Sequence, residues 1–285
     1  MTYLSPFTTL FESQAQISLK YNGTLEDILS EIIEASQENE SVKDKTVLAL
    51  HPPRIIRALV DYKIARPEDS GIEELLIRAI EVALRLYSDA SNSQTVIENF
   101  KEEIKDRGQK SLLSTLITQT QDSVTWRATD PKMSQETAKL IIKGGYKELL
   151  FIALAQGGVA AGMDVFLNYC NLSGNNDSAF YTVRFSRNKH QDEEPRLSSR
   201  EIDYLKKLAG DRQIIIFDED RYWGYTLDIA KFYFSKILNL NILSPRLKIS
   251  CNFDNIAIRG KFDPFSNPFC PQPSFIQQKL EFHWN

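Results

Sequence analysis

Cysteine is scarce. Cys170, Cys251 and Cys270 are the only three in 285 residues, widely spread and without a CxxC pair. An odd, scattered set excludes a disulfide framework and a structural zinc site, and suits a reducing, cytoplasmic location. Long apolar runs are missing too: none approaches the roughly 18 residues that a bilayer-spanning helix needs. The opening MTYLSPFTTLFESQ has no basic segment followed by an apolar one, so neither export nor membrane insertion is expected. Positive charge is not in excess, since 34 Lys and Arg against 38 Asp and Glu leave a net charge of -4. With both signs interspersed there is no basic stripe to neutralise a phosphate backbone, and nucleic acid is not the expected partner. The dinucleotide fingerprint GxGxxG is absent: Gly157, Gly158 and Gly162 do not keep its spacing, which leaves an NAD-binding fold without support. The three histidines, His51, His190 and His283, stand too far apart to suggest a triad or a metal site.

What is present is the composition of a globular protein, 42% hydrophobic and 25% charged, long enough to bury a sizeable core as one large domain or two smaller ones. From Thr24 to about Arg107 apolar residues recur at three and four between charges, the helical period. Thr24 with Asp27 can cap TLEDILSEIIEAS, and PPRIIRALVDYKIA carries its prolines where a first helical turn would tolerate them. In GIEELLIRAIEVALRLYSDA, Leu75, Ile77, Ile80, Val82, Ala83 and Leu86 form a broad stripe for packing. Residues 1–130 therefore read as a helical N-terminal region or cap.

Residues 131–285 have another character. MSQETAKLIIKGGYKE reads as a helix ended by Gly144 and Gly145, and LLFIALA as a strand buried on both faces. Gln156-Gly157-Gly158 is a turn, VAAGMDVFLNYC a helix, Phe180 to Phe185 a strand and SRNKHQDEEPRLSS a charged loop. SSREIDYLKKLAG is a capped helix closed by Gly210, IIIF a second buried strand and TLDIAKFYFSKIL a helix. Strands alternating with helices imply an α/β fold with a doubly wound, mostly parallel sheet, whose ligands sit at the carboxyl ends of the strands. Near the end RLKISCNF and IAIRGKF can pair as a hairpin, followed by the Pro-rich PFSNPFCPQPS.

Two stretches carry chemistry. Paired glycines between a strand and a helix let backbone amides face an anion with no side chain in the way. Farther on, IIIFDEDRYWGYTL hangs Asp218, Glu219 and Asp220 on the end of a buried strand, where like charges oppose one another unless something binds them. The turn that follows leads into a helix whose free amides, with the Thr226 hydroxyl, can cradle phosphate.

The second stretch resembles the phosphoribosyl pyrophosphate loop of the type I phosphoribosyltransferases: four apolar residues, two acids, a few loop positions, Gly, any residue, Thr. Ile214 to Phe217 supply the apolar run, Asp218 and Glu219 the acids, Gly224 the glycine and Thr226 the threonine, without a gap. FIALAQGGVAAGMDVF resembles the same family's pyrophosphate loop, with Gln156, Gly157 and Gly158 in place. About 60 residues separate the two loops, and SRNKHQDEEPRLSS occupies the position of the family's mobile hood. The resemblance covers roughly Lys132 to Leu240. It implies transfer of a phosphoribosyl group to a nitrogen acceptor with release of pyrophosphate, Mg2+ as cofactor, and a homodimer as the assembly. Asp218 and Glu219 would serve the ribose hydroxyls and, indirectly, the metal. Arg221, Tyr222, Trp223, Gly224, Tyr225 and Thr226 would hold the 5'-phosphate, and Gln156, Gly157 and Gly158 the pyrophosphate. Arg184, Arg187 or Lys189 would neutralise developing charge. Family members carry small residues where Tyr222 and Trp223 stand, so two readings stay open: an active transferase, or a non-catalytic relative that senses a nucleotide or binds a partner. Haloacid-dehalogenase-like phosphatases offer a local match, with Asp218 as nucleophile and Asp220 as acid/base, but their later motifs find little room in the remaining chain.

Overall fold

The computed structural model describes residues 3–13, 17–38, 41–120, 123–175, 177–186, 192–221, 224–254 and 271. Contacts divide the chain into two compact units, Met1–Trp126 and Arg127–Asn285.

The first unit is helical, over Thr8–Glu12, Leu25–Glu38, Val42–Ala65, Ile72–Ser88, Ser93–Asp106 and Lys110–Leu113, with one short antiparallel pair, β1 (Tyr21–Thr24) and β2 (Leu116–Gln119). Thr24 and Asp27 cap as expected: Thr24 N and Oγ1 donate to Asp27 Oδ2 at 2.7 Å each, and Asp27 N donates back to Thr24 Oγ1 at 3.1 Å. The prolines depart from expectation. A capping box of Ser41 and Asp44 starts the helix at Val42, so Pro52 and Pro53 fall inside it rather than in its first turn. A proline has no N–H for the carbonyl four residues back. Ala49 O, four before Pro53, receives the Tyr87 hydroxyl at 2.6 Å instead. Tyr87→Phe leaves that buried carbonyl unmet, and the expected cost is about 1–3 kcal/mol, read as a lower urea midpoint with the denaturant slope unchanged.

Beside the prolines, Arg54 Nη1 donates to His51 Nδ1 at 2.9 Å, and His51 Nε2 lies 2.6 Å from Glu31 Oε2. Arginine has no acceptor, so Nδ1 accepts and the imidazole proton sits on Nε2, toward Glu31. Arg54 Nε also donates to Gln119 Oε1 at 2.8 Å, and its guanidinium lies over the Tyr21 ring. Burial, opposed by Glu31 and reinforced by the Arg54 charge, pushes the His51 imidazole below its ordinary value. The network explains His51 as a tie between a helix and the β1–β2 pair. Trp126 stacks on Phe11 at 4.6 Å and meets Phe7 edge-on at 6.2 Å; it is a packing residue.

The second unit is α/β. Its four parallel strands are β3 (Leu149–Ala155), β4 (Ala179–Arg184), β5 (Gln213–Arg221) and β6 (Leu247–Asp254), in the order β4-β3-β5-β6. All seven residues of β3 are buried, as a two-sided strand requires. Phe151, Phe166, Phe180 and Phe217 pack with centroids 5.4–6.1 Å apart and join β3, β4, β5 and the helix Gly158–Ser173. Each such buried ring contributes about 1.5–3 kcal/mol. Gly162 permits the close approach: a Cβ there would stand 3.0 Å from Ala153 Cβ and 3.2 Å from the Phe217 ring. The helix Pro131–Lys143, capped by Asp130, packs along Gly158–Ser173. It is pinned to β6 through the fully buried Asn252, which donates to Ala128 O and Ser134 Oγ and accepts from Thr137 Oγ1. On the other face, Tyr181 of β4 donates to Glu201 Oε1 at 2.8 Å; Glu201 sits in the helix Ser199–Ala209, whose capping box begins at Ser198. Successive strand residues point to opposite faces, so Phe180 and Tyr181 show helices on both.

RLKISCNF, expected as one arm of a hairpin, forms a strand that lies parallel to β5. Its proposed partner, residues 256–262, and the Pro-rich stretch fall outside the described residues apart from Pro271. No helix among the described residues is long and apolar enough to cross a membrane.

Candidate functional site

The chain leaves β3 to lay β4 on one side, then returns past β3 to lay β5 on the other. At such a switch point the loops leaving the two neighbouring strands diverge, and a crevice opens at their carboxyl ends. Those strands are β3 and β5, and their loops are the two singled out by residue type.

The structure brings them into contact. Ala153 pairs with Phe217, so Gln156–Gly158 and Asp218–Glu219 follow side by side. A Cβ built on Gly157 would overlap the Glu219 carboxylate, and one on Gly158 would come within 3.2 Å of Asp218 Cα and 3.3 Å of Asp218 Oδ1. What favours glycine at both positions is the close approach of the two segments, not an unusual φ: Gly157 sits at φ -69°. The Ala155–Gln156 peptide is cis. Gly158 opens the 16-residue helix Gly158–Ser173, whose first amides lack intrahelical acceptors and carry partial positive charge.

β5 is longer than its apolar run. The strand continues through Asp218, Glu219 and Asp220 to Arg221, with Asp218 paired to Cys251, Asp220 to Phe253 and Arg221 to Asp254. The acids therefore belong to the sheet rather than to a loop beyond Phe217. Extended backbone alternates sides, which places Glu219 and Arg221 on the face of Phe217 and of the helix Gly158–Ser173, and Asp218 and Asp220 on the other. Glu219 N donates to Asp218 Oδ1 at 3.1 Å. Burial, then the neighbouring charges of Glu219 and Asp220, hold the Asp218 carboxyl well above the usual carboxylate range. Such a group readily exchanges hydrogen bonds with hydroxyls.

Arg221 was expected to offer its amide, and its side chain adds something else. The guanidinium is buried, 1% exposed, with Nη2 3.8 Å from Asp228 Oδ1 and Nη1 3.7 Å from Asp254 Oδ2. Gly224, at φ +85°, caps the helix Tyr225–Ile237, and Asp228 N donates to Gly224 O at 3.0 Å. Only glycine adopts that φ without strain. Tyr225 is 66% exposed and Thr226 half-buried in the first turn. Tyr222 and Trp223 lie outside the described residues, as do Arg187, Lys189 and His190.

Arg184 ends β4 opposite Ala155 and so stands at the same end of the sheet. Its Nε is 3.5 Å from Asp192 Oδ2; Asp192, buried, also accepts from Ser186 N at 2.9 Å and Arg196 Nε at 2.8 Å. The charge of Arg184 is thus shared with a carboxylate that pattern reading had no means of pairing with it. Asp192, Asp228 and Asp254 are the site's neighbours that the sequence alone does not reveal; the one local hint is that Asp254 closes an apolar run as Asp218 does. Among the described residues no three His, Cys, Asp or Glu side chains come together to hold a metal ion. No family model matches the chain, and no curated protein and no solved structure does so either.

Proposed function

We propose that the crevice between β3 and β5 binds phosphoribosyl pyrophosphate and that the chain transfers the phosphoribosyl group to a nitrogen acceptor. One observation carries this reading: two loops about 60 residues apart, each of phosphate- or ribose-binding type, meet at the switch point with Glu219 against Gly157 and Asp218 against Gly158. In the reaction the bond from the anomeric carbon to pyrophosphate breaks, a bond to the acceptor nitrogen forms, and that nitrogen gives up a proton. Positive charge spreads over the ribose ring on the way.

Asp218 and Glu219 accept the ribose hydroxyls. The first-turn amides after Gly224, with Thr226, take the 5'-phosphate, and Gln156–Gly158 with the following helix start take the pyrophosphate. Arg184 stands at the edge to offset charge on the leaving group. The protein's share is mainly positioning. Among the described residues no third carboxylate joins these two acids in a cage, so Mg2+ would arrive with the pyrophosphate and have the carboxylates as outer partners; when bound it would screen the leaving group. A phosphatase using Asp218 as nucleophile is less well supported, since that role needs the ionised carboxylate that burial disfavours.

Calorimetry with phosphoribosyl pyrophosphate and Mg2+ is expected to show one site per chain with a dissociation constant in the range of about 1 µM–1 mM. No heat at millimolar ligand sinks the reading. Binding without pyrophosphate release across a panel of bases and amides leaves the sensor.

A further inference from the structure

We propose that Arg221 is a positioning residue of this crevice: held between Asp228 and Asp254, it fixes the first turn of the helix Tyr225–Ile237 against the end of β5 and cancels the charge that Asp228 would otherwise present to a phosphate there. The inference rests on the reading of the crevice given above.

Arg221 is among the largest fully buried side chains of the protein, so it is not itself a contact for an incoming anion. Three elements converge on it: Arg221 belongs to β5, Asp254 ends β6, and Asp228 sits in the helix's first turn with its side chain half-exposed. The broad guanidinium stands within ion-pair reach of both carboxylates at once, at 3.7 and 3.8 Å, where a lysine's point charge would sit nearer one of them. Burying such an ion is costly, and a wholly apolar set of residues in place of the ion pairs often serves stability equally well, but removing the arginine alone leaves Asp254 buried without its counter-charge. What the ion pairs add is registry. Here the registry is that of the Tyr225–Leu227 amides relative to Asp218 and Glu219, the distance between a sugar's phosphate and its hydroxyls. The second effect is electrostatic. A first-turn carboxylate suits a helix start but repels a phosphate seeking the same amides, and Arg221 offsets Asp228 from beneath. The matching anion is a phosphate monoester on a sugar, not pyrophosphate, which belongs to the Gly157–Gly158 side.

The test is Arg221→Met, with Arg221→Lys and Asp228→Asn beside it. The probes are ribose 5-phosphate and inorganic pyrophosphate, followed by calorimetry, together with amide hydrogen exchange of the ligand-free proteins. Arg221→Met is expected to weaken ribose 5-phosphate about tenfold or more, equivalent to about 1.4 kcal/mol, while pyrophosphate binding changes less than about twofold; the urea midpoint falls, because Asp254 is left buried without its counter-charge. Exchange at Tyr225–Leu227 rises, that of β3 does not, and Arg221→Lys recovers part of both losses. Unchanged ribose 5-phosphate binding with unchanged exchange overturns the proposal, as does an equal loss for both probes. Should Arg221→Met fail to fold, Asp228→Asn decides: faster exchange at Tyr225–Leu227 supports the positioning role and unchanged exchange removes it. If the wild type binds neither probe, the crevice reading fails, and the exchange data alone judge Arg221.

Discussion

Asp218→Asn is expected to abolish phosphoribosyl pyrophosphate binding, a loss of about 100-fold or more, and yet to make the ligand-free protein more stable at neutral pH. The two effects have one cause. Burial and the charges of Glu219 and Asp220 raise the folded-state pKa of Asp218 above the ordinary 3.8, so between 3.8 and that raised value the folded chain holds more protons than the unfolded one. Where the folded state binds more protons, stability falls as pH rises. Above pH 3.8 the group must either hold a proton that the unfolded chain has released or ionise in a place that disfavours it, and the isosteric amide avoids both costs while its Oδ1 still accepts from Glu219 N. Gains at such sites run to about 0.5–2 kcal/mol, typically with loss of function. Urea midpoints of the two proteins taken from pH 7.5 downward should therefore converge as the pH drops toward 4. A variant less stable than the wild type at pH 7 would contradict the electrostatic account, whatever happens to binding.

Gly157→Ala should weaken binding with little change in stability. The backbone there is ordinary helical geometry, φ -69°, so alanine meets no torsional penalty. What the methyl meets is the Glu219 carboxylate, the far end of a side chain that can swing away. Folding should therefore shift by no more than about 0.5–1 kcal/mol. Binding is another matter, because the methyl occupies the face of the turn that pyrophosphate must approach and drives Glu219 toward the ribose side. Calorimetry should show inorganic pyrophosphate weakened about tenfold or more, equivalent to about 1.4 kcal/mol. Wild-type affinity in Gly157→Ala would mean that the turn serves close packing alone.

Local patterns make much of this fold legible in the sequence. LLFIALA suits a strand with both faces covered, Ser198 with Glu201 and Thr24 with Asp27 announce helix starts, and Gly210 and Gly145 announce ends. What escapes is whatever depends on a partner far along the chain. The pairing of Tyr21–Thr24 with Leu116–Gln119 joins segments that no local pattern connects. Pro52 and Pro53 read as a helix start, because the hydroxyl that makes an interior site tolerable belongs to Tyr87. Four apolar residues suggest that β5 stops at Phe217, but β6 continues beside it and carries the acids into the sheet. The glycine turn and the acid cluster are each visible as residue types; that they touch follows from the strand order, and Arg221 acquires its two carboxylates from elements that no spacing rule connects.

The extension of β5 to Arg221 also governs how this segment can change. Because its side chains alternate between the two faces, every residue from Asp218 to Arg221 has its surroundings assigned by parity. Substitutions there alter one group at a time and leave the others in place. Inserting or deleting a single residue after Phe217 would instead exchange the faces, breaking the contacts of Glu219 and Asp218 with Gly157 and Gly158 and carrying the guanidinium away from Asp254. The segment is thus permissive toward replacement and intolerant of a change in length, so any diversification of the crevice has to proceed by side-chain exchange on a strand of constant length.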